Sequence, residues 1–351
     1  MKSLVALLVL VAWPTLGQEY DVTSTKVQPL TGPEASADVQ ALDICGTDLG
    51  TMAEIDGTIV IAFGDTFGWQ GDWCQKFGPN MRSNAIAFTR DLDPSDGVVI
   101  DAWLTGPDGH AKAAVEGWHD APFTGEQSKI PTAMVAVGDT LYLHYMSMHG
   151  YSPGMGTICN YSRFITSKDG GRTWDRGSGD FGDHLSNFNM RALSAEAGTG
   201  NEDARYVYAI GTPCGRAGGA RAARVSAGEL LQTEAWEYWD GSVWQKDRAR
   251  AVEVILPAAS EGSLVWNAGI GRWMYSTINE VSEALELRFA DRPEGPWSEP
   301  VALARAADYP LLYGSYMTPS WIEDDGLTFY FIMSQFGLYN TFLMKAELQR
   351  R

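Results

Sequence analysis

Hydrophobic residues along this chain come in short alternating runs broken by Gly, Asp and Asn, and one arrangement returns five times. The copies are GTMAEIDGTIVIAFGDT from Gly50, PTAMVAVGDTLYLHYMS from Pro131 and MRALSAEAGTGNEDARYVYAIGTP from Met190. GSLVWNAGIGRWMYSTINE from Gly262 and TPSWIEDDGLTFYFIMSQ from Thr318 complete the set. Each reads as a strand, a turn and a second strand rich in aromatic and β-branched residues, because alternation of period two suits a pleated strand. Four of the turns are short, and the third copy carries a longer insertion. A third strand follows every copy: SNAIAFTRD at Ser83, YSRFITSKDGG at Tyr161, ARAARVSAG at Ala220, LELRFADRPEG at Leu285 and NTFLMKAEL at Asn340. A shorter fourth strand is expected after some of them, at Trp236–Trp239 and at Trp297. Helix signals are nearly absent, with at most one short helix over Gly228–Ala235. The pattern predicts an all-β fold, a five-bladed β-propeller with antiparallel blades around a central funnel. A β-sandwich would not return the same three-strand unit five times.

The stretch Ser167-Lys168-Asp169-Gly170-Gly171-Arg172-Thr173-Trp174 resembles the Asp-box of sialidase-like propellers. There the Asp side chain satisfies turn amides and the Trp packs between blades, so the motif marks architecture rather than chemistry.

In an antiparallel blade, the start of strand one, the end of strand two and the start of strand three share a rim. That rule collects Asp48, Asp65, Arg82 and Asn84 from the first unit and Lys129 and His144 from the second, with Ser128, His149, Asn160 and Tyr161 nearby. The third unit adds Asn187, Asn189 and Arg216, and the fourth adds Glu261, Asn279 and Glu280. The fifth adds Tyr316 and Gln335, beside Tyr313 and Tyr339. The opposite rim receives plain turns such as Asp56-Gly57 and Gly138-Asp139. Carboxylates, amides and aromatics on one rim suit a sugar. A glycosidase needs a protonated carboxylic acid for the leaving oxygen and a second carboxylate across the ring. Acids crowded into an apolar funnel split their proton affinities by burial and mutual repulsion.

Asp48, Asp65 and Glu261 are therefore the candidate catalytic acids, and the other rim residues are candidates for binding substrate. Each acid also has a structural alternative: Asp65 as a cap after strand two, Asp48 as a tie at the ring closure, Glu261 as a solvated acid. His144 and His149 lack a metal-ligand spacing, so no metal and no cofactor is expected. Asn160-Tyr161-Ser162 fits a glycosylation sequon, and its place on the rim suggests a structural or binding segment.

The ends and the charge narrow the setting. Lys2, the apolar run Leu4–Ala12 and the small residues at Thr15-Leu16-Gly17 predict a signal peptide over residues 1–17. A lead-in that closes the propeller is expected over 18–43, and a single propeller domain over 44–351. The net charge of −18 repels phosphate backbones and anionic lipids, so neither nucleic acid nor a membrane surface is an expected partner. A polysaccharide substrate and a secreted monomer are expected. The four cysteines allow three pairings in an oxidising compartment, of which Cys45–Cys74 with Cys159–Cys214 is preferred.

From Ile44 to Leu348 the chain resembles the family filed as domain of unknown function 4185. The matching stretches include GTDLG at Gly46, FGDTF at Phe63, RSNAIAF at Arg82, SKIPTAM at Ser128 and LYLHYMS at Leu141. Further stretches are NYSRFITSKDGGRTW at Asn160, NFNM at Asn187, YAIGTPCGRAGGARAARV at Tyr208, STINE at Ser276, YGSYMTPSW at Tyr313 and FIMSQFGLYNTFLMKAEL at Phe331. The resemblance implies a five-bladed propeller and endo-acting hydrolysis of arabinofuranosyl linkages, such as those of mycobacterial D-arabinan. It implies catalytic roles for Asp48 and Asp65, which fall in the family's acidic motifs. At Glu261 the chain reads Ser260-Glu261 where the family tends to carry a Gly-Glu pair. Two other readings compete: a non-catalytic, lectin-like propeller, and a sialidase. The second would need a trio of arginines on the substrate carboxylate, and only Arg82, Arg163 and Arg216 are candidates.

Overall fold

Turn chemistry sets the blades. At the tip of the first hairpin, Asp56 and Gly57 adopt φ of 49° and 70°. These positive values twist a two-residue turn to match its strands. The computed structural model describes residues 18–74, 76–152, 156–195 and 205–351. The expected signal peptide, and most of the long insertion in the third repeat, lie outside the described residues.

Strand β1 (Tyr20–Pro29) precedes the first blade, which comprises β2 (Leu49–Ile55), β3 (Thr58–Phe63), β4 (Ala85–Thr89) and β5 (Ala102–Trp103). The second blade is β6 (Ser128–Val137), β7 (Thr140–Ser152), β8 (Gly156–Ser167) and β9 (Asp175–Asp183). The third is β10 (Met190–Ser194), β11 (Tyr206–Thr212), β12 (Ala220–Ser226), β13 (Glu237–Trp239) and β14 (Trp244–Gln245), with β15 (Glu253–Ile255) also on β12. The fourth is β16 (Gly262–Asn267), β17 (Arg272–Asn279), β18 (Ala284–Ala290) and β19 (Val301–Arg305). The fifth is β20 (Leu312–Ile322), β21 (Thr328–Gln335) and β22 (Asn340–Arg350). Its outer strand is β1, antiparallel to β22 with Tyr20 opposite Arg350. All pairings within the blades are antiparallel, and the five sheets form a five-bladed β-propeller.

The inner strands β2, β6, β10, β16 and β20 touch in a closed ring. They surround a central cavity of about 310 Å³ lined by residues such as Thr51, Ala133, Ala192, Gly262 and Met317. Between blades lie apolar seams: Val60, Phe88, Leu141 and Ile165 join the first to the second, and Phe164, Phe188 and Trp236 the second to the third. Tyr208, Trp273 and Trp297 join the third to the fourth. Each such side chain stabilises the ring by roughly 1.5–3 kcal/mol relative to exposure.

Two details depart from the expectation. Trp297 is not in a strand; it is buried in the seam 5.9 Å from Tyr275, and the fourth strand of its blade is β19. The short helix expected over Gly228–Ala235 is two separate 3₁₀ turns, and a short α-helix, α1 (Ala37–Ala41), stands in the lead-in.

The Asp-box lies in the turn between β8 and β9. Asp169 Oδ1 accepts from the backbone N–H groups of Arg172 (3.0 Å) and Thr173 (2.9 Å), and Oδ2 accepts from the Thr173 hydroxyl at 2.6 Å. These bonds draw the Asp169 carboxyl down to about 2. The disulfides are Cys45–Cys74 and Cys159–Cys214. The first clips the loop between β3 and β4, and the second joins the start of β8 to the segment after β11. Two disulfides point to an oxidising, extracellular setting. No helix among the described residues is long and apolar enough to cross a membrane.

Candidate active site

The ends of β2 and β3 bring the first two acids together. The N–H of Gly64 donates to the carbonyl of Asp48 at 2.8 Å, which pins the residue before β2 to the residue after β3. The N–H of Leu49 donates to Ser334 Oγ at 2.8 Å and fixes this corner to the fifth blade. Asp48 Oδ2 accepts from the Tyr313 hydroxyl at 2.8 Å, and Tyr339 lies beside the same carboxyl. Asp48 Oδ1 has no hydrogen-bond partner and lies against Gly64, where any Cβ would collide with it. Burial pushes the Asp48 carboxyl up to about 7, against the pull of Tyr313 and Tyr339; the Glu261 charge adds to the rise and Arg216 opposes it.

Asp65, buried, accepts a short hydrogen bond from the Ser128 hydroxyl at the start of β6. Burial, then the neighbouring charges of Asp48 and Glu116, hold its proton affinity well above the usual carboxylate range despite Ser128. Glu261 precedes β16. Burial alone would raise it, but Arg216, with Ser260, brings it below the ordinary glutamate value. Arg216 pairs with Glu261 on one side and with Glu280, at 2.9 Å, on the other, and its guanidinium lies 5.1 Å from the Tyr313 ring centre. Asp48 is thus electrostatically linked to Asp65, Glu261 and Arg216 at one rim. The site holds acids that keep a proton near neutrality beside one that stays ionised.

The expected binding residues divide by where their side chains go. Arg216, Glu280 and Tyr316 join the cluster. Tyr316 is buried, its hydroxyl has no hydrogen-bond partner, and the charges of Glu261 and Asp48 act on it. Lys129 stands near it, donating to Glu126 Oε1 (2.6 Å) and to the carbonyl of Glu116 (2.7 Å). Arg82 turns into the wall and donates to Asp43. Asn84 is wholly buried and bridges blades one and two through the carbonyls of Val115 (2.6 Å) and Lys129 (3.2 Å). Gln335 bonds Lys26 at 3.2 Å and the carbonyl of Pro310 at 3.1 Å.

His144 is buried against Phe164, with Nδ1 2.6 Å from the Thr132 hydroxyl; burial and Arg191 hold its basicity well below the usual range. Asn189 donates to the carbonyl of Asp183 at 2.8 Å, and Asn187 is partly exposed in the turn ahead of it. Asn279 organises its own turn, accepting from the N–H groups of Val281 (2.9 Å) and Ser282 (3.2 Å). Asn160 donates to Ser147 Oγ at 3.1 Å and to the carbonyl of Gly125 at 3.2 Å. Among the described residues no group of three or more His, Cys, Asp or Glu is placed to hold a metal ion.

Two acids escape the rim rule. Glu126, buried two residues before Ser128, accepts from Lys129, from Ser147 (2.6 Å) and from Tyr161 (2.7 Å). Burial alone would raise its proton affinity, but those three donors bring it below the ordinary value. Glu116 accepts from the Ser83 N–H at 2.8 Å and pairs with His119 at 2.8 Å. Both lie in the irregular segment between β5 and β6, where no alternation marks them. Their only signal is a carboxylate close in sequence to Ser128-Lys129.

Residues 34–345 match the model of the domain of unknown function DUF4185. The chain belongs to this family. Among solved structures, a candidate hydrolase from Bacteroides ovatus matches with TM-score 0.59 at 12% identity, covering 87% of this chain and 86% of that one. Zg3597, a family 117 glycoside hydrolase of Zobellia galactanivorans, matches at TM-score 0.51 and 10% identity over 94% and 90% of the two chains. A GH43 enzyme from Xanthomonas citri complexed with xylose matches at 0.50 and 13%, over 92% and 90%. At these identities the likeness shows a shared fold. No curated protein matches this DUF4185 member in sequence.

Proposed function

We propose that this DUF4185 protein is a secreted glycoside hydrolase that cuts arabinofuranosyl linkages within an arabinan-type polysaccharide. The observation that carries the reading is the buried Asp48–Asp65 pair at one rim of a five-bladed propeller, with both proton affinities raised and the Asp48 charge acting on Asp65. Two close carboxyl groups that cannot both ionise supply one acid and one base at the same pH. Several similar folds belong to glycoside hydrolases, and the arabinan preference rests on the sequence resemblance.

In the mechanism, Asp65 keeps its proton and donates it to the leaving oxygen. Asp48, whose negative charge Tyr313, Tyr339 and Arg216 stabilise, acts as base or nucleophile. Glu261 remains ionised and holds Arg216 in the site.

The test is digestion. Wild type, Asp48→Asn and Asp65→Asn are incubated with mycobacterial arabinogalactan, plant L-arabinan and xylan, and released oligosaccharides are counted. Release from an arabinan by wild type, with a loss of at least ~10³-fold in both variants, is expected, since each removes an acid–base group. Binding without release from any polymer would instead identify a lectin-like propeller.

A further inference from the structure

Two chains of contacts lead from the carboxylate cluster to exposed aromatic residues. On the Asp48 side, Tyr313 leads outward: Phe336 lies 6.3 Å from Tyr313, and Phe77 lies 5.2 Å from Tyr339 and 6.2 Å from Phe336. Phe77 is 54% exposed and Phe336 38%. The Lys76 ammonium sits 3.0 Å from the Phe336 ring centre and 5.2 Å from that of Phe77. It therefore covers a face of Phe336 and leaves Phe77 as the main open ring. On the Asp65 side stands Trp118, 79% exposed. Its neighbour Gly117 donates to Ser83 Oγ at 2.9 Å and packs on the backbone of Ser128, whose hydroxyl bonds Asp65.

Large apolar side chains left in water beside a polar site need an occupant. The C–H faces of a sugar ring fit an aromatic surface while its hydroxyl groups stay hydrated, the same division that places amphipathic rings at wet interfaces. A neutral glycan also suits an acidic molecule of charge −18 better than an anionic partner does.

We propose that Phe77 and Trp118 are stacking platforms for sugar units on opposite sides of the bond that is cut, so that the glycan chain runs across both Asp48 and Asp65. This deepens the hydrolase reading and rests on it. The two platforms raise affinity for long glycans and contribute little to a single sugar.

The experiment is affinity electrophoresis through gels containing arabinogalactan, L-arabinan or xylan, with a small aryl arabinofuranoside as kinetic control. The proteins are wild type, Phe77→Ala, Phe77→Leu, Trp118→Ala and the double alanine variant. Near-normal melting temperatures show that the exposed substitutions leave the fold intact. Each alanine is expected to weaken retardation by roughly 5–10-fold, with the double variant weaker still, while turnover of the aryl glycoside is unchanged. Phe77→Leu should behave like Phe77→Ala, because apolar bulk without a flat ring does not stack. Retardation of the alanine variants equal to wild type, full rescue by leucine, or no retardation of wild type in any gel overturns the proposal. Retardation lost as expected, with no polymer cleaved by wild type, would leave the platforms standing and remove the hydrolase reading instead.

Discussion

Asp48 illustrates how a single side chain is tuned by its surroundings. Its raised proton affinity means that the native state binds more protons than the unfolded chain between about pH 4 and 7. The stability this group allows is full below its unfolded value of 3.8 and falls as pH rises through about 7. Asp48→Asn is therefore expected to raise stability by roughly 1–3 kcal/mol at pH 8 and by almost nothing at pH 4, measured by denaturant titration at both pH values. Destabilisation at pH 8 would contradict it. Gly64 gives a second prediction at this scale. The residue presses against Asp48 Oδ1 with no room for a Cβ, so Gly64→Ala must move the carboxyl. A fall of about 10²-fold in kcat, with the melting temperature lowered by only a few degrees, is expected.

Among the elements, the Asp-box turn and the disulfides have separable roles. Asp169→Ala removes bonds to four donors in the β8–β9 turn. It should cost about 1–3 kcal/mol without altering the pH dependence of activity, which calorimetry and kinetics together check. Cys159–Cys214 closes 55 residues and Cys45–Cys74 closes 29. By chain entropy each contributes about 3–4 kcal/mol, the longer loop slightly more. Cys214 is two residues from Arg216 and Cys45 three from Asp48, so reducing agent should lower activity as well as melting temperature.

The blades were legible in sequence because a hairpin is local: alternation and a Gly or Asp turn suffice. A lead-in that closes the propeller is expected over 18–43, but no local pattern gives the register of β1 on β22. The rim rule drew Asp48, Asp65, Glu261 and Arg216 to one end of the blades. It could not tell the open face from the wall, so Arg82, Asn84 and Gln335 were grouped with them although their side chains turn inward. Those side chains find partners in the wall that come from distant parts of the chain: Asp43 for Arg82, the Val115 and Lys129 carbonyls for Asn84, and Lys26 for Gln335.

For the whole molecule, ring closure holds acids from distant parts of the sequence in one electrostatic unit. Blade one brings Asp48 and Asp65, blade four Glu261 and blade five Tyr313, while Arg216 enters from blade three. Removing Glu261 takes away a charge that raises Asp48 and releases an arginine that lowers it. Glu261→Gln should therefore move the acidic limb of the activity profile to lower pH. The most direct measurement of the central claim is kcat/KM on an arabinan from pH 4 to 10, for wild type and Asp48→Asn. The account predicts a bell for wild type, with its acidic limb near pH 7 as the pair loses its first proton and its alkaline limb set by Asp65. It predicts that Asp48→Asn falls by at least ~10³-fold across the range. A profile without an acidic limb, or an Asp48→Asn variant with wild-type activity, would contradict it.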